Sequence, residues 1–313
     1  MFDAVRVKNE CVEWIRDFFE KNGKGCNAVI GISGGLDSAV ALLACTAAFD
    51  RIKKPRTDII AVTMPGFGTT GRTYDNSLKL CKGLGVTLRE IPISDACRQH
   101  FKDIGHPEDL HNIVYENAQA RERTQILMDI ANQSDGIVLG TGDMSENALG
   151  WCTYNGDHMS MYAINAGLPK TVIRAVAENC AEHLDDKEAK AALLDILATP
   201  GSPELLPASE AGDILQKTES TLGPYEIHDF AIYELLGNGS GKDKIQFLLN
   251  RAFGNAYPSE NLEKWLNLFF KRFFTQQFKR TCQPDAPDIF ELSLSARDGW
   301  AMPSDTSGSV FSN

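Results

Sequence analysis

The sequence predicts an α/β protein built on a doubly wound parallel sheet, with helices on both faces and a helical extension at the C-terminal end. Two observations predict this class. Short apolar runs alternate with helical patterns through the first half of the chain, an order typical of parallel sheets. The strand-like runs then stop at about residue 164, and helical patterns dominate residues 169–280.

The individual elements follow from the spacing of apolar residues. Five of them fall at i, i+3, i+4, i+7 and i+8, which predicts one apolar face of a first helix: Cys11, Trp14, Ile15, Phe18 and Phe19. The strand-like runs are short and continuous, as buried parallel strands are; they lie at residues 28–32, 59–63, 86–93 and 137–140. Helical stretches are expected near residues 38–48, 74–83, 95–103, 113–133 and 261–275.

Composition excludes several classes of protein. A content of 43% apolar and 23% charged residues is typical of a globular chain and not of a disordered or fibrous one. Its apolar runs are shorter than the roughly 20 residues that cross a bilayer, and no secretory signal is visible, so we expect no membrane association. A net charge of −11 disfavours nucleic acid, because an acidic surface repels phosphates. The eight cysteines show no metal-binding spacing, which favours reduced thiols and a cytoplasmic location.

The turn after the first predicted strand, residues 33–38, has the sequence Ser-Gly-Gly-Leu-Asp-Ser. Its two glycines let a ligand approach the backbone, and the N–H groups of the next helix favour an anion. A Walker A loop would end in Gly-Lys-Ser or Gly-Lys-Thr, whereas here Asp37 stands near the helix start. Because an acid repels phosphate unless a divalent cation bridges them, the turn predicts magnesium-dependent nucleotide chemistry. A plain glycine turn capped by an acid is the structural alternative.

Residues 33–38 resemble the pyrophosphate-binding loop of the ATP pyrophosphatase superfamily. Members of this superfamily adenylate a carboxyl or carbonyl oxygen and release pyrophosphate. A nitrogen or sulfur nucleophile then displaces AMP. Four further segments narrow the resemblance to one family within this superfamily. They lie at residues 115–121, 140–154, 165–170 and 277–280. Their order is similar to that of NAD synthetases and covers about residues 5–305. The resemblance implies the adenine nucleotide alpha-hydrolase-like fold and the use of ATP, Mg²⁺ and ammonia to convert deamido-NAD into NAD, AMP and pyrophosphate.

The resemblance also implies a role for each matching residue. The expected ATP contacts are Gly31, Ile32, Ser33, Gly34, Gly35, Leu36, Asp37, Ser38, Thr141, Lys170 and, in a loop at residues 199–213 that closes over the site, Ser202. The expected deamido-NAD contacts are Asn117, Glu146, Trp151, Cys152, Thr153, Tyr154 and Lys279. Asp37 and Glu146 are expected to hold Mg²⁺ and to be the catalytic pair, since both offer hard oxygen ligands.

Several of these residues also have purely structural interpretations. Trp151 and Tyr154 offer faces to a nicotinate ring, although without the motif a role as core aromatics would be the more frequent one. Lys170 could be a solvated first-turn lysine, and Lys279 a charge that favours a helix end. Cys152 stands where serine is common in the relatives, so a side-chain hydrogen bond there is not implied.

The resemblance also bears on domains and partners. We expect a single synthetase domain comprising a nucleotide-binding α/β core at residues 1–164, a helical extension at 165–280 and an irregular tail at 281–313. The match is nearest to the synthetase portion of glutamine-using enzymes, and 313 residues leave no room for their glutaminase domain, so we expect ammonia as the nitrogen source. Family members are homodimers, so we expect a dimer. A separate glutaminase is a possible partner.

A second glycine pattern offers a rival interpretation. Residues 66–71 match Gly-x-Gly-x-x-Gly, with Glu90 nineteen positions further on, which would make the chain a Rossmann-type NAD-dependent oxidoreductase. This pattern follows the second strand and not the first, Glu90 is expected in mid-strand, and residues 33–38 are left unexplained. Two more interpretations stay open, another ATP-pyrophosphatase amidoligase and a non-catalytic nucleotide-binding module.

Overall fold

The computed structural model describes residues 3–21, 25–69, 71–199, 205–206 and 221–308. One sheet of five parallel strands has the order β3-β2-β1-β4-β5. The strands are β1 (Asn27–Gly31), β2 (Ile59–Thr63), β3 (Thr87–Glu90), β4 (Gly136–Gly140) and β5 (Tyr162–Ala163). The strand order reverses between β1 and β4, so the connections that follow these two strands leave in opposite directions and open a crevice at the carboxyl edge. The predicted fold class is confirmed.

Helices connect the strands and form the extension. In chain order they are α1 (Ala4–Lys21), α2 (Leu36–Arg51), α3 (Gly71–Leu84), α4 (Ser94–Ile104), α5 (Ile113–Gln133), α6 (Met144–Leu149), α7 (Lys170–His183), α8 (Lys187–Ala198), α9 (Tyr225–Ile232), α10 (Lys242–Phe253), α11 (Ser259–Thr275) and α12 (Gln277–Thr281). A 3₁₀ turn (Arg56–Asp58) and a π-helical turn (Tyr233–Gly237) add to them. No helix in the described part of the chain is long and apolar enough to cross a membrane.

Side chains of the central strands alternate between two hydrophobic cores, as the two-residue period of a strand requires. Ala28 and Ile30 of β1 pack in the core beneath α1, α2, α7 and α8. Val29, between them, packs in the opposite core with residues of α4 and α5. Both faces of the sheet are therefore covered, which explains why its strands are continuous apolar runs.

A third hydrophobic core joins the extension to the loop region after β4. It contains the apolar faces of α9, α10 and α11 together with Met144, Ala148 and Leu149 of α6. The guanidinium of Arg280, on α12, is buried and donates to the carbonyls of Asn147 and Ala148 at the end of α6. The extension thus packs directly on the helix that follows the switch-point strand. The proposed division at residues 164 and 280 stays a prediction.

Three details differ from expectation. Glu90 is the last residue of β3 and not a mid-strand residue, because Pro92 follows and cannot donate to a strand ladder. Trp14 is 43% exposed although it shares the predicted apolar face of α1, while Ile15 and Phe19 are buried. The two-residue strand β5 was also not expected, since it is too short to show a periodic pattern.

Candidate active site

The glycine-rich turn lies at the switch point, between β1 and the N-terminus of α2. Gly34 has φ +79°, and a Cβ there would lie 2.1 Å from the carbonyl oxygen of Thr73, so only glycine fits. No side chain caps α2 at Gly35, which leaves first-turn N–H groups facing the crevice. Ser38 is buried beneath the turn, where its hydroxyl donates to the Gly35 carbonyl at 3.0 Å. The turn therefore has the geometry of an anion site, with Ser38 supporting it from below.

Three carboxylates meet beside this turn. Asp37 lies in the first turn of α2, Asp143 is the N-cap of α6 and Glu146 lies in the first turn of α6. One oxygen from each lies within 4.8 Å of the others. They converge because β1 and β4 are neighbours and both of their following loops begin helices at the same edge. Asn165 fixes the two loops together by donating to the carbonyls of Asp37 and Thr141 at 2.9 and 3.0 Å.

The ammonium of Lys170 sits among these three carboxylates. Its Nζ lies 2.7 Å from Asp37 Oδ2, 2.5 Å from Asp143 Oδ2 and 3.0 Å from Glu146 Oε1. Lys170 is the first residue of α7, where its side chain is only 16% exposed, so the interpretation as a solvated lysine is wrong. When more than one of the three carboxyl groups is ionised, the single ammonium leaves this centre short of positive charge, and a cationic ligand is favoured.

Burial and mutual repulsion change the protonation of this centre. Burial raises the pKa of Glu146 to about 7, and burial also raises the pKa of Asp143 well above its usual range. Burial opposes charge on Lys170 as well, but the carboxylates outweigh it and raise the pKa of the lysine. Above about pH 7 the centre therefore gains negative charge at Glu146, the condition under which a metal ion binds best.

The donor set fits Mg²⁺, which prefers carboxylate oxygens. Asp37 Oδ1 is buried and has no hydrogen-bond partner among the described residues, so this oxygen is available as a ligand. Asp37 and Glu146 were the expected pair, and Asp143 is a third candidate ligand that sequence reasoning missed. A signal did exist: Asp143 precedes Glu146 by three positions, but such spacing is also typical of a helix cap, and Asp143 Oδ1 does accept from Glu146 N at 2.8 Å.

This chemistry predicts a pH-dependent stabilisation by magnesium. The pKa of Glu146 is about 7 in the folded protein and 4.5 ordinarily. Between these two pH values the unfolded chain loses the proton more readily than the folded one, so the free energy of unfolding decreases as the pH rises. Above pH 7 the deprotonated centre should bind Mg²⁺ more tightly. We expect the magnesium-induced rise in melting temperature to be larger at pH 8 than at pH 6, by about 2–4 °C for a tenfold change in affinity. Glu146→Gln should remove most of that difference; an equal magnesium effect at both pH values in the parent protein would contradict the prediction.

A single cavity of about 1270 Å³ extends from the glycine-rich turn to the extension. The expected site residues that line it are Gly31, Ile32, Ser33, Gly34, Gly35, Leu36, Asp37, Asn117, Thr141, Glu146, Trp151, Cys152, Thr153, Tyr154, Lys170 and Lys279. Ser202 lies outside the described residues, as does most of the loop at 199–213. Ser38 is buried and does not line the cavity, whereas the other predicted contacts among the described residues share this one space.

The end of the cavity away from the turn is aromatic and basic. The Arg272 guanidinium lies 5.1 Å from the ring centroid of Trp151, and Tyr154 is 36% exposed. Lys279 Nζ donates to the carbonyls of Gly150 and Cys152 at 2.7 and 2.6 Å, so it holds this loop in addition to lining the cavity. Burial lowers the pKa of Lys279. This end suits a flat ring attached to an anion.

Asp157 is a further residue that sequence reasoning missed. It lines the cavity, and its Oδ1 accepts from Thr153 N at 2.7 Å, while the Thr153 hydroxyl donates to Asn117 Oδ1 at 2.8 Å. Burial raises the pKa of Asp157. Its position in an irregular loop of polar residues gave no periodic or spacing signal. The aromatic end of the cavity thus contains a carboxyl group of its own.

In the rival dinucleotide fingerprint, the first two backbone donors are bonded to other groups of the protein. Gly66 N donates to Thr69 Oγ1 at 2.9 Å and Phe67 N donates to Gln119 Oε1 at 3.2 Å. The backbone donors at the start of this turn are therefore occupied by the protein itself. The position of Glu90 at the end of β3 removes one argument against the fingerprint. The Glu90 carboxylate, however, already accepts a hydrogen bond from the Tyr74 hydroxyl.

The fold and site define a class of protein: a doubly wound α/β protein with a glycine-rich turn and a cluster of three carboxylates at its switch point. A family model described as NAD synthase matches residues 7–231. The chain therefore belongs to the NAD synthase family, and the expected resemblance is confirmed.

Individual relatives agree with this assignment. The chain is 41% identical over 311 residues to a glutamine-dependent NAD(+) synthetase of Mycobacterium leprae (strain TN), covering 90% of this chain and 45% of that protein. It thus spans about half the length of the curated relatives it matches. A glutamine-dependent NAD(+) synthetase from Cytophaga hutchinsonii has a similar structure, with a TM-score of 0.78 and 17% identity over 97% of this chain and 55% of that chain. An NH3-dependent NAD synthetase from Campylobacter jejuni subsp. jejuni NCTC 11168 has a TM-score of 0.62 and 20% identity over 89% and 96%.

Proposed function

We propose that this chain uses ATP to adenylate the nicotinate carboxylate of deamido-NAD, and that ammonia then displaces AMP to give NAD. One observation carries the proposal: a single cavity joins the phosphate loop, the carboxylate centre and the aromatic end. The reacting carboxylate and the α-phosphate of ATP must meet, and in the proposed arrangement they meet beside the three carboxylates. Asp37, Glu146 and Lys170 support this arrangement, because they line the same cavity and Lys170 pairs with both carboxylates.

The chemistry explains why these groups are needed. A carboxylate resists attack by ammonia because oxide is a poor leaving group, and adenylation supplies AMP as a good one. The N–H groups at the start of α2 and the Lys170 ammonium stabilise negative charge on the phosphates as the bond to pyrophosphate breaks. Mg²⁺, held by Asp37 and Glu146 with Asp143 beside them, would neutralise phosphate charge. Trp151 and Tyr154 would hold the ring.

The nitrogen source does not follow from the amidation chemistry alone, because ammonia is the attacking group whether it is free or released from glutamine. The carboxyl group of Asp157 at the aromatic end would favour binding of an ammonium ion, which then loses a proton to become the attacking ammonia. The relatives named above include both glutamine-dependent and NH3-dependent synthetases. We propose that this chain accepts free ammonia. A homodimer and a separate glutaminase partner also stay proposals.

The decisive experiment incubates the purified chain with ATP, Mg²⁺, deamido-NAD and ammonium, and measures NAD and AMP. We expect equimolar NAD and AMP with ammonium, and little NAD when glutamine replaces it. Omission of ATP should abolish the product, which separates this activity from an oxidoreductase that merely binds NAD. Absence of NAD with every nitrogen source would overturn the synthetase proposal, whereas NAD formed from glutamine by the pure chain would overturn only the choice of ammonia.

A further inference from the structure

Tyr225 has a buried hydroxyl group that no protein group in the described structure satisfies. Its side chain is 8% exposed, and its phenolic oxygen has no hydrogen-bond partner among the described residues. A buried hydroxyl without a partner costs about 1–3 kcal/mol, so native structures retain such groups mainly where a ligand or water completes them. Tyr225 also lines the large cavity.

The ring of Tyr225 lies beside Lys170, the lysine that sits among the three carboxylates. The Lys170 ammonium lies 5.2 Å from the centroid of the Tyr225 ring, within the range of a cation–π interaction. Lys170 contacts all three carboxylates, so the ring covers the centre from the side of the extension. A phenol keeps its proton at neutral pH and therefore offers a hydrogen-bond donor to an oxygen acceptor.

Asp229 fixes the helix that presents this tyrosine. It lies one turn after Tyr225 on α9 and accepts a hydrogen bond from the Ser145 hydroxyl, while its Oδ2 accepts from Thr171 N and Thr171 Oγ1 at 2.9 and 2.7 Å. Ser145 Oγ in turn accepts from Lys170 N at 2.8 Å. Helix α9 is thus bonded to the first residues of α6 and α7, the helices that carry Glu146 and Lys170. Tyr225 is held in place by the same network.

We propose that Tyr225 is a substrate-contacting residue whose hydroxyl donates to an anionic oxygen of a reacting substrate. Two oxygens have the required chemistry, a phosphate oxygen of ATP and the carboxylate of deamido-NAD. The inference rests on the proposed function, because it needs one of these substrates in the cavity. The inference goes beyond that function by adding a hydrogen-bond donor from α9 to a centre otherwise formed by Asp37, Asp143, Glu146 and Lys170.

Tyr225→Phe tests the proposal, because it removes the hydroxyl and keeps the ring over Lys170. We expect kcat/KM for NAD formation to fall about 10- to 100-fold, the loss of one hydrogen bond to a charged group. The melting temperature of the substrate-free protein should stay the same or rise, since an unsatisfied buried hydroxyl is removed. A purely structural hydroxyl would give the opposite pair of results, a lower melting temperature with unchanged kinetics.

Binding measurements distinguish the two oxygens. Calorimetry with Mg²⁺ and α,β-methylene-ATP, and separately with deamido-NAD, shows which affinity the variant loses; a loss in kcat alone places the contact in the transition state. Tyr162→Phe is the matched control, because Tyr162 is buried on β5 against Phe18 and away from the cavity, and its kinetics should not change. Tyr225→Met is a second variant without a donor, should Tyr225→Phe fold poorly.

The outcomes separate this inference from the proposed function. If the parent protein binds neither substrate and forms no NAD, the proposed function fails before Tyr225 is tested. If the parent protein is active and both Tyr225 variants match it in kcat, KM and both affinities, the hydroxyl makes no substrate contact and the inference is overturned.

Discussion

Replacement of Asp37 by asparagine is expected to remove nearly all magnesium-dependent turnover while leaving the fold intact. Asp37 Oδ1 is a buried carboxylate oxygen without a hydrogen-bond partner in the described structure, and asparagine removes the negative charge of this ligand. Charge stabilisation of this kind contributes on the order of 3–4 kcal/mol, so we expect a decrease in kcat of about 100- to 1000-fold. The measurement is the rate of NAD formation as a function of Mg²⁺ concentration.

The fold should survive because the substitution leaves the main architecture of the centre in place. Lys170 still contacts Asp143 and Glu146, and the Asp37 carbonyl still accepts from Asn165. Asp195→Asn provides a control of the same chemistry outside the cavity, since that carboxylate pairs with Arg72 between α3 and α8. It should leave magnesium dependence unchanged. NAD production by Asp37→Asn at the parental rate would refute the assigned role.

The convergence of Asp37 and Glu146 could be predicted from the sequence, and its physical basis is simple. Each follows a short apolar strand at a glycine-containing turn, and neighbouring parallel strands deliver such turns to the same sheet edge. The strands themselves were predictable from local composition. The exact end of β3 was not predicted, although Pro92 was a usable signal, and this misplaced Glu90.

The parts of the centre that sequence reasoning missed come from distant segments. Tyr225 and Asp229 reach the centre only because α9 packs on α6 and α7, and an apolar helix containing a tyrosine is locally typical of ordinary core. Asp157 lies in an irregular loop without periodicity. Lys170 was expected near ATP, but its contact with three carboxylates depends on long-range packing that no local pattern encodes.

That position of Lys170 leads to the largest expected effect on stability. Lys170→Met removes the cation from between three carboxylates and leaves their repulsion uncompensated. Removing one partner of a buried ion pair costs about 3–5 kcal/mol, and the partial exposure of this centre places the expected loss near 3 kcal/mol at pH 8. Chemical denaturation of the parent and variant proteins measures it.

The effect of Mg²⁺ on the stability of Lys170→Met distinguishes the loss of a positive charge from a packing defect. Because Mg²⁺ replaces the missing positive charge, millimolar Mg²⁺ should restore more stability to Lys170→Met than it adds to the parent protein. Lys54→Met is a closely matched control: the Lys54 side chain is 15% exposed, against 16% for Lys170, but pairs with the single carboxylate of Asp58. That variant should lose about 1 kcal/mol or less and show no magnesium rescue. Equal losses in the two variants, without rescue in either, would mean that Lys170 acts through packing and not through its charge.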